Sequence, residues 1–285
     1  MLFFIVSFFA STAGAICGIG GGVIIKPVLD MLHLETVATI SFLSGCTVLS
    51  MTCYSVGRSI LAGEHRVTLR VGTPLAAGAA VGGLLGKQLF TLIRGLFENQ
   101  NTVGSVQAVC LAVITLGTLI YTVNKDRIRT KDVQSPTACV VIGLALGVIS
   151  SFLGIGGGPI NLVVLFYFFG MDTKTAAVNS LYIILFSQLA SVLTTVLTST
   201  VPPFPWTALL LMAAGGISGG IAGRTLNRRM DEKMVDKLFI GLMVVIVGIS
   251  FYNAWQYSIQ FGEAEHWMPR SCCAAVLFPK AFLQH

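Results

Sequence analysis

Two glycine-rich runs are the residues of this sequence whose types and spacing most directly suggest chemistry. GIGGGV occupies residues 18–23 and GIGGGP occupies residues 154–159, each within a stretch of leucine, isoleucine, valine and phenylalanine. Glycine lets a ligand approach the backbone closely. Proline is favoured at the first position of a helix, because its missing N–H is not needed there. A helix is therefore expected to begin near Pro159, with the N–H groups of the preceding turn unpaired.

Unpaired N–H groups at a helix N-terminus carry a partial positive charge and favour anions. The residues alone leave two interpretations open. The runs form an anion site, or they only let helices cross at close range. The candidate substrate-binding glycines are Gly18, Gly20, Gly21, Gly22, Gly154, Gly156, Gly157 and Gly158.

Four polar side chains near the runs extend the candidate site: Lys26, Asn161, Asn179 and Gln188. Three roles are open for Lys26: it attracts an anion, reaches the membrane surface, or pairs with Asp30 one helical turn later. Asn179 and Gln188 lie in one apolar segment that also carries serine and threonine, and Gln188 shares a helical face with Ser180, Ser187, Ser191 and Thr195. They are preferred to those hydroxyls, because Ser and Thr in membranes usually bond between helices.

The composition is that of a membrane protein. Hydrophobic residues make up 54% and charged residues 11% of the chain, and the mean hydropathy is +0.83. Soluble domains carry roughly 25% charged residues. Because about 20 apolar residues span a bilayer, we expect an all-α membrane protein with about eight hydrophobic segments. They lie near residues 2–29, 36–57, 71–90, 103–123, 137–170, 176–199, 206–223 and 238–258.

The sequence repeats internally. A shift of 136 residues superposes the second glycine run on the first, and two further blocks follow in the same order at nearly the same shift. These blocks are ETVATIS at 35–41 with KTAAVNS at 174–180, and AAGAAVGGLLGKQL at 76–89 with AAGGISGGIAGRTL at 213–226. Repeated order of this kind indicates two homologous halves. The predicted divisions are a first repeat 1–123, a charged cytoplasmic linker 124–136, a second repeat 137–258 and a tail 259–285.

Loop charge predicts how the two halves are oriented. If segments 2–29 and 137–170 turn back at their glycines, thirteen Lys and Arg residues fall on one side of the membrane and four on the other. If every segment crosses simply, the two sides receive nine and eight. Basic residues collect in cytoplasmic loops. The halves are therefore predicted to be inverted, as in many secondary transporters, and the net charge of +6 calls for no nucleic acid partner.

Catalytic and metal chemistry are not expected. The histidines, which are His33, His65, His266 and His285, all lie outside the apolar segments, so no embedded base would activate a nucleophile. Cysteine and histidine show no metal-ligand spacing, and no nucleotide-binding loop is present. We expect no cofactor, no enzyme activity, and transport driven by a gradient. The N-terminal apolar stretch resembles a signal peptide, but the repeat assigns it to retained structure.

These motifs resemble the sulfite exporter TauE/SafE family of membrane permeases over about residues 5–258. GIGGGVIIKPVL at 18–29 is similar to the first-half signature of that family. The second glycine run is similar to its second-half motif, and AAGGISGGIAGRTL at 213–226 is similar to its glycine-helix motif. One departure is that Val163 replaces the counterpart of Pro27, so the two half-sites are not expected to be equivalent.

The resemblance implies a multi-pass permease of the cell membrane that moves small sulfur-containing anions, such as sulfite or organosulfonates. Its expected partners are the small anionic solute and the lipid bilayer, with a proton or a sodium ion as the candidate coupling ion. The alternatives are a transporter of another small anion, such as a carboxylate, and a membrane subunit that transports nothing.

Overall fold

The computed structural model describes residues 1–32, 34–62, 68–96, 100–155 and 157–267. Within these ranges the chain forms ten α-helices, one short 3-10 helix at Lys125–Arg127, and no strand. The helices in chain order are α1 Leu2–Cys17, α2 Gly22–Met31, α3 Val37–Leu61, α4 Leu69–Leu96, α5 Gln100–Asn124, α6 Pro136–Leu153, α7 Pro159–Phe169, α8 Thr173–Leu197, α9 Trp206–Arg229 and α10 Glu232–Trp267. Gly156, His33, His65, Cys272 and Cys273 lie outside the described residues.

Seven of the described helices, α3, α4, α5, α6, α8, α9 and α10, are long and apolar enough to cross a membrane, with apolar stretches of 18 to 25 residues. Their outer faces keep large apolar side chains exposed, such as Val113 at 64%, Leu193 at 51% and Val244 at 54%. Soluble proteins rarely expose so much apolar surface, whereas helices that face lipid do. The prediction of an all-α, multi-pass membrane protein is confirmed.

The first segment of each predicted half is broken at its glycines. Helix α1 ends where Gly18 turns into the left-handed region with φ 77°, and α6 ends where Gly154 does so with φ 66°. Glycine adopts this conformation without the steric cost of a side chain. A short helix follows each break, and α7 begins at Pro159 as its sequence predicts.

The short helix of the second half turns back beside the helix that precedes it. In the linker before α6, the Lys131 N–H donates to the Tyr167 carbonyl at 2.6 Å and the Val133 N–H donates to the Phe168 carbonyl at 2.9 Å. The end of α7 therefore lies beside the beginning of α6. Segment 137–170 reverses direction, as the loop-charge argument requires.

The first half folds back in the same way. Leu29, near the end of α2, shares a buried apolar cluster with Ala10 of α1, and Phe3 packs against the edge of that cluster. The backbone of Gly21, before α2 begins, lies against Ser11. The end of α2 is consequently beside the N-terminal part of α1, and segment 2–29 also reverses.

Glycine stripes join each half to the other. The stripe of α9 packs on backbone carbonyls of α1, and the stripe of α4 packs on backbone carbonyls of α6; these two helix pairs have the most extensive contacts among the described helices. The facing positions are Gly215 with Phe4, Gly219 with Phe8, Gly223 with Thr12, Gly78 with Val140, Gly82 with Leu144 and Gly86 with Val148. The glycines are therefore packing residues, and the two sets of partners differ by the repeat shift of 136.

Helices α3 and α8 run in opposite directions. The hydroxyl of Thr39, at the start of α3, donates to the Pro203 carbonyl at 3.0 Å, and Pro203 follows the end of α8. Both helices begin with a side-chain cap: the Thr39 N–H donates to Thr36, and the Thr175 N–H donates to Asp172. Opposite directions of corresponding helices are what inverted halves predict.

The two most basic connections lie on the same side of the helices. Lys125, directly after α5, forms an ion pair with Asp236 near the start of α10 at 2.5 Å. The hydroxyl of Thr173, at the start of α8, also donates to Asp236 at 2.9 Å. The linker before α6 and the turn between α9 and α10 therefore share one face, which we call the basic face. That the basic face is cytoplasmic stays a prediction from the positive-inside rule.

Substituting a glycine of the stripe is expected to destabilise the fold. A Cβ at Gly82 would overlap the backbone carbonyl of Leu144, which cannot move without shifting a helix. We expect Gly82→Ala to cost about 1–3 kcal/mol, the usual cost of overpacking, measured as a lower midpoint of thermal unfolding in detergent. Gly117→Ala is the matched control, because no described atom lies within 4 Å of its Cβ position. Equal midpoints for both variants would contradict this role of the stripe.

Single cysteines can test the assignment of sides. The background is a variant without the native cysteines. In it, Arg229→Cys lies on the basic face and Ser199→Cys lies on the opposite face. The native side chains of Arg229 and Ser199 are both exposed. We expect a membrane-impermeant maleimide to modify the Ser199→Cys variant in intact cells, and to modify the Arg229→Cys variant only after permeabilisation. Modification of both variants in intact cells would overturn the topology.

Candidate functional site

The two glycine breaks meet in the interior of the helix assembly. The backbone of Gly22 lies against the carbonyl oxygen of Ile155, so closely that a Cβ would overlap it. A Cβ at Gly158, where φ is 131°, would lie 3.0 Å from the Val23 side chain. The backbones of the two breaks are therefore in direct contact. Open space lies to either side of this contact.

Both breaks also pack on α8. A Cβ at Gly18 would overlap the backbone of Ala177, and a Cβ at Gly157 would overlap the side chain of Ile184. Gly157 has φ 115°, a conformation that residues with side chains rarely adopt. These glycines are thus required by the close approach of chains, whatever ligand they bind.

A cavity of about 330 Å³ opens beside the first break. It lies among the ends of α1, α3 and α9 and the beginning of α8. Its polar lining consists of Ser55, Ser59, Lys174, Arg224, Asn227 and Arg228, and none of the described residues that line it is acidic. Arg228 is exposed, whereas Ser55 and Ser59 are buried. The cavity is therefore a basic space that leads from the surface inward, and we call it the basic cavity.

Two side chains from the last turns of α9 connect this helix to α3 and α1 at the basic cavity. The Arg224 guanidinium donates to the Ser55 carbonyl at 2.7 Å, and the Asn227 amide donates to the Ile16 carbonyl at 2.6 Å. Ile16 lies in the last turn of α1, where carbonyl groups have no partner within the helix. Ala177, which touches Gly18, is also part of the cavity wall. The basic cavity thus ends at the first break.

A much smaller polar space, of about 20 Å³, lies beside the second break. Its lining includes Gly154 together with polar side chains from α3, α4, α5, α6 and α8, namely Ser41, Lys87, Gln107, Ser151, Gln188, Ser191 and Thr195. The hydroxyls of Ser41 and Ser151 are buried and, among the described atoms, have no hydrogen-bond partner. This space, the small pocket, has room for about one water molecule.

The basic cavity and the small pocket are built from corresponding positions. Arg224 directly follows the last glycine of the stripe in α9, and Lys87 directly follows the last glycine of the stripe in α4. One space adjoins the first break and the other adjoins the second. Equivalent elements therefore form two spaces on opposite sides of the paired breaks, at very different volumes of about 330 and 20 Å³.

Lys26 bridges the two breaks. Its ammonium group donates to the Leu153 carbonyl at 2.8 Å and also donates to the side-chain oxygen of Gln107. The Gln107 amide in turn donates to the Phe152 carbonyl at 2.6 Å. Lys26 therefore caps the C-terminal end of α6, where a cation is favoured by the helix dipole.

Of the three roles that the sequence leaves open for Lys26, reaching the membrane surface does not occur in this conformation, because the side chain is 3% exposed. Lys26 and Asp30 interact electrostatically, but the ammonium donates its hydrogen bonds to Leu153 and Gln107 and forms no close ion pair with the carboxylate. A role in attracting an anion stays a prediction.

The remaining predicted side chains lie at three different places. Asn161 is 1% exposed beside Gly157, and its side-chain oxygen has no hydrogen-bond partner in the described part of the chain. Asn179 accepts from the Thr68 N–H at 3.1 Å and so connects α8 to the start of α4. Gln188 lines the small pocket. Gly156 lies outside the described residues. Anion binding by these residues stays a prediction.

Sequence reasoning did not select the cations of the basic cavity as site residues. Lys174, Arg224 and Arg228 entered that reasoning only as loop charges. One signal was available, because a basic residue follows the last stripe glycine in both halves. Among the described residues, no cluster of His, Cys, Asp and Glu has a geometry that could hold a metal ion.

Comparison with known proteins identifies the family. The model of the family described as Sulfite exporter TauE/SafE matches residues 3–251, which include both breaks and both glycine helices. Searches of curated proteins and of solved structures each found no match. The resemblance seen in the motifs is confirmed. The chain belongs to the sulfite exporter TauE/SafE family and is a multi-pass membrane transporter of the permease type.

Proposed function

We propose that this protein is a secondary transporter of the cell membrane for small sulfur-containing anions, such as sulfite or an organosulfonate. The basic cavity is the observation that carries the proposal. It brings Lys174, Arg224 and Arg228 together without an acidic residue among the described lining, and it leads to the first break. Guanidinium and ammonium groups donate strong hydrogen bonds to anionic oxygens.

The shape and dipoles of the basic cavity also suit a small anion. Its volume of about 330 Å³ is at the lower end of the range for small-molecule sites, roughly 300–1,000 Å³. The N-terminal turn of α8, which carries Lys174, borders the cavity and adds the positive end of a helix dipole. The hydroxyls of Ser55 and Ser59 supply polar groups at depth.

Beyond the cavity, we propose that the anion passes between the breaks. The binding groups there are the backbone of Gly18, Gly20, Gly21, Gly22, Gly154, Gly156, Gly157 and Gly158, and the side chains of Lys26, Asn161, Asn179 and Gln188. In the present conformation the contact of Gly22 with Ile155 closes this path. Passage therefore requires the two breaks to separate.

The unequal volumes of the two spaces support an alternating-access cycle. The present conformation is open on the basic face, where Arg224 lines the large cavity, and closed on the other, where Lys87 lines the small pocket. Rocking of two inverted halves would exchange these volumes. The proposed cycle therefore enlarges the small pocket as the basic cavity closes.

Neutralising the cations of the basic cavity is expected to weaken anion transport. A hydrogen bond to a charged group contributes about 1.5–3 kcal/mol, so Arg224→Gln and Arg228→Gln should each raise the KM for anion flux about ten- to a hundredfold. The measurement is uptake of labelled sulfite, a sulfonate and a carboxylate into proteoliposomes. Arg229→Gln is the matched control, because Arg229 is on the same helical turn and does not line the cavity.

The outcomes of this assay separate the alternatives. Preferred flux of the carboxylate would favour transport of another class of anion, which the same cavity can bind through its arginines. An unchanged KM in both cavity variants would show that the basic cavity is not on the path. No flux of any of the three anions would contradict the proposed function.

The contact between the breaks should also be required for transport. Gly22→Ala would place a methyl group into the Ile155 carbonyl, and we expect the maximal flux to fall by about tenfold or more, the factor that 1.4 kcal/mol produces. The Gly248→Ala variant, in which no described atom is within 4 Å of the new Cβ, should transport normally. Rates are normalised to the amount of monodisperse protein. If Gly22→Ala transports at the wild-type rate, the proposal that the anion passes between the breaks is wrong.

A further inference from the structure

A buried carboxylate lies next to the bridge formed by Lys26. Asp30 is one helical turn after Lys26 on α2 and is 8% exposed. Its Oδ1 atom has no hydrogen-bond partner within the ranges that the structure describes. A cavity of about 10 Å³ joins the carboxylate to Lys26, Gln107, Ser250 and Asn253. We call this group of residues the Asp30 cluster.

The surroundings of Asp30 do not suit an ionised carboxylate in this conformation. Gln107 faces it from α5, and Ser250 and Asn253 face it from α10; none of them carries a charge. The Asn253 amide donates one of its two N–H groups to the Pro27 carbonyl at 2.9 Å, and among the described atoms neither Asn253 nor Ser250 donates to Asp30 Oδ1. An ionised carboxylate that is buried without partners costs much free energy, inside a membrane above all.

The nearest cation, Lys26, interacts with Asp30 through space but directs its hydrogen bonds to other groups. Lys26 is the charged group that faces Asp30 within the cluster, and its ammonium is bound to Leu153 and Gln107. Lys87, in the neighbouring small pocket, shares Gln107 as a lining residue but does not line the Asp30 cluster. Two residues spaced as Lys26 and Asp30 are can pair on one face of a helix.

We propose that Asp30 carries the coupling proton of transport, which it holds while Lys26 caps α6 and releases when Lys26 turns to it. This inference rests on the proposed transport function. The bond from Lys26 to Leu153 joins the two breaks across the predicted halves, so separation of the breaks must break it. The freed ammonium then pairs with Asp30 and stabilises its ionised form.

The proton balance of this step is simple. The O–H bond of the Asp30 carboxyl breaks, the carboxylate keeps the electron pair, and the proton leaves to water. Lys26 stays an ammonium throughout, so one proton moves in each cycle. Gln107 lines both the Asp30 cluster and the small pocket. The small pocket, once enlarged, provides the aqueous route.

A proton fits this cluster better than a sodium ion does. A metal cation needs several oxygen ligands. Asp30 is the one carboxylate among the described residues that line this space, and the side-chain oxygen of Gln107 already accepts from Lys26. The Lys26 ammonium beside it would repel a cation. The space of about 10 Å³ is also at the limit for even one water molecule.

The test uses the full chain in proteoliposomes with methanesulfonate, whose charge does not change with pH in the working range. The membrane potential is held at zero, and a trapped dye reports internal pH. For one proton per anion, a pH difference of one unit should support a concentration ratio of about tenfold. We expect wild-type protein to reach this ratio and to move protons with the sulfonate. A sodium gradient at equal pH should produce no accumulation.

Variants locate the coupling at Asp30. Asp30→Asn imitates the protonated carboxyl, so it should equilibrate methanesulfonate without accumulation and without proton movement. Asp30→Glu keeps the carboxyl and should retain coupling. Asp132→Asn is the matched control, because Asp132 is exposed in the linker and bonded to Gln134, and it should stay coupled.

Several results would overturn the assignment. Retained coupling in Asp30→Asn, or accumulation driven by sodium, would contradict the role of Asp30 while leaving the proposed transport intact. If Asp30→Asn yields no folded protein, the wild type still provides a test: flux that does not respond to the pH gradient would contradict the coupling role of Asp30. Absence of flux in the wild type for methanesulfonate, sulfite and a carboxylate would overturn the transport function and the coupling role together.

Discussion

Backbone groups that lie inside a bilayer have no water to bond, and this constraint governs how the chain can be interrupted there. Each glycine break leaves carbonyl groups unpaired at the end of a helix. The protein supplies a polar side chain to each end: Asn227 to the Ile16 carbonyl of α1, and Lys26 to the Leu153 carbonyl of α6. In both cases the donor comes from the opposite half of the sequence. The breaks are thus stabilised by contacts between halves.

Contacts between the two halves of the sequence also determine where the basic cavity forms. Because the stripe glycines let α9 approach the backbone of α1, the last turns of α9 come to lie beside the first break. Arg224 and Asn227 can then reach backbone carbonyls of α3 and α1, and the remaining cations border an open space. Close packing of α9 on α1 therefore places basic side chains beside the first break.

Apolar length and glycine content made the helices and their interruptions predictable from sequence. The reversal at each break was also predictable, because loop charge has a strong side preference. The basic cavity was not, since Arg224 and Ser55 are 169 residues apart and no local pattern indicates which helix ends meet. Lys26 was selected as a site residue, but its partner at Leu153 depends on the contact between the breaks. Asp30 entered only as a neighbour in sequence.

The exchange of glycine helices between the halves has a consequence for biosynthesis. The stripe of α4 has no facing backbone until α6 has been made, and α1 has none until α9 has been made. A nascent first half therefore contains two helices whose tightest contacts are with chain that the ribosome has not yet produced. Insertion of the first helices and completion of the fold must be separate events in time, and the gap between them lasts until α9 has been made.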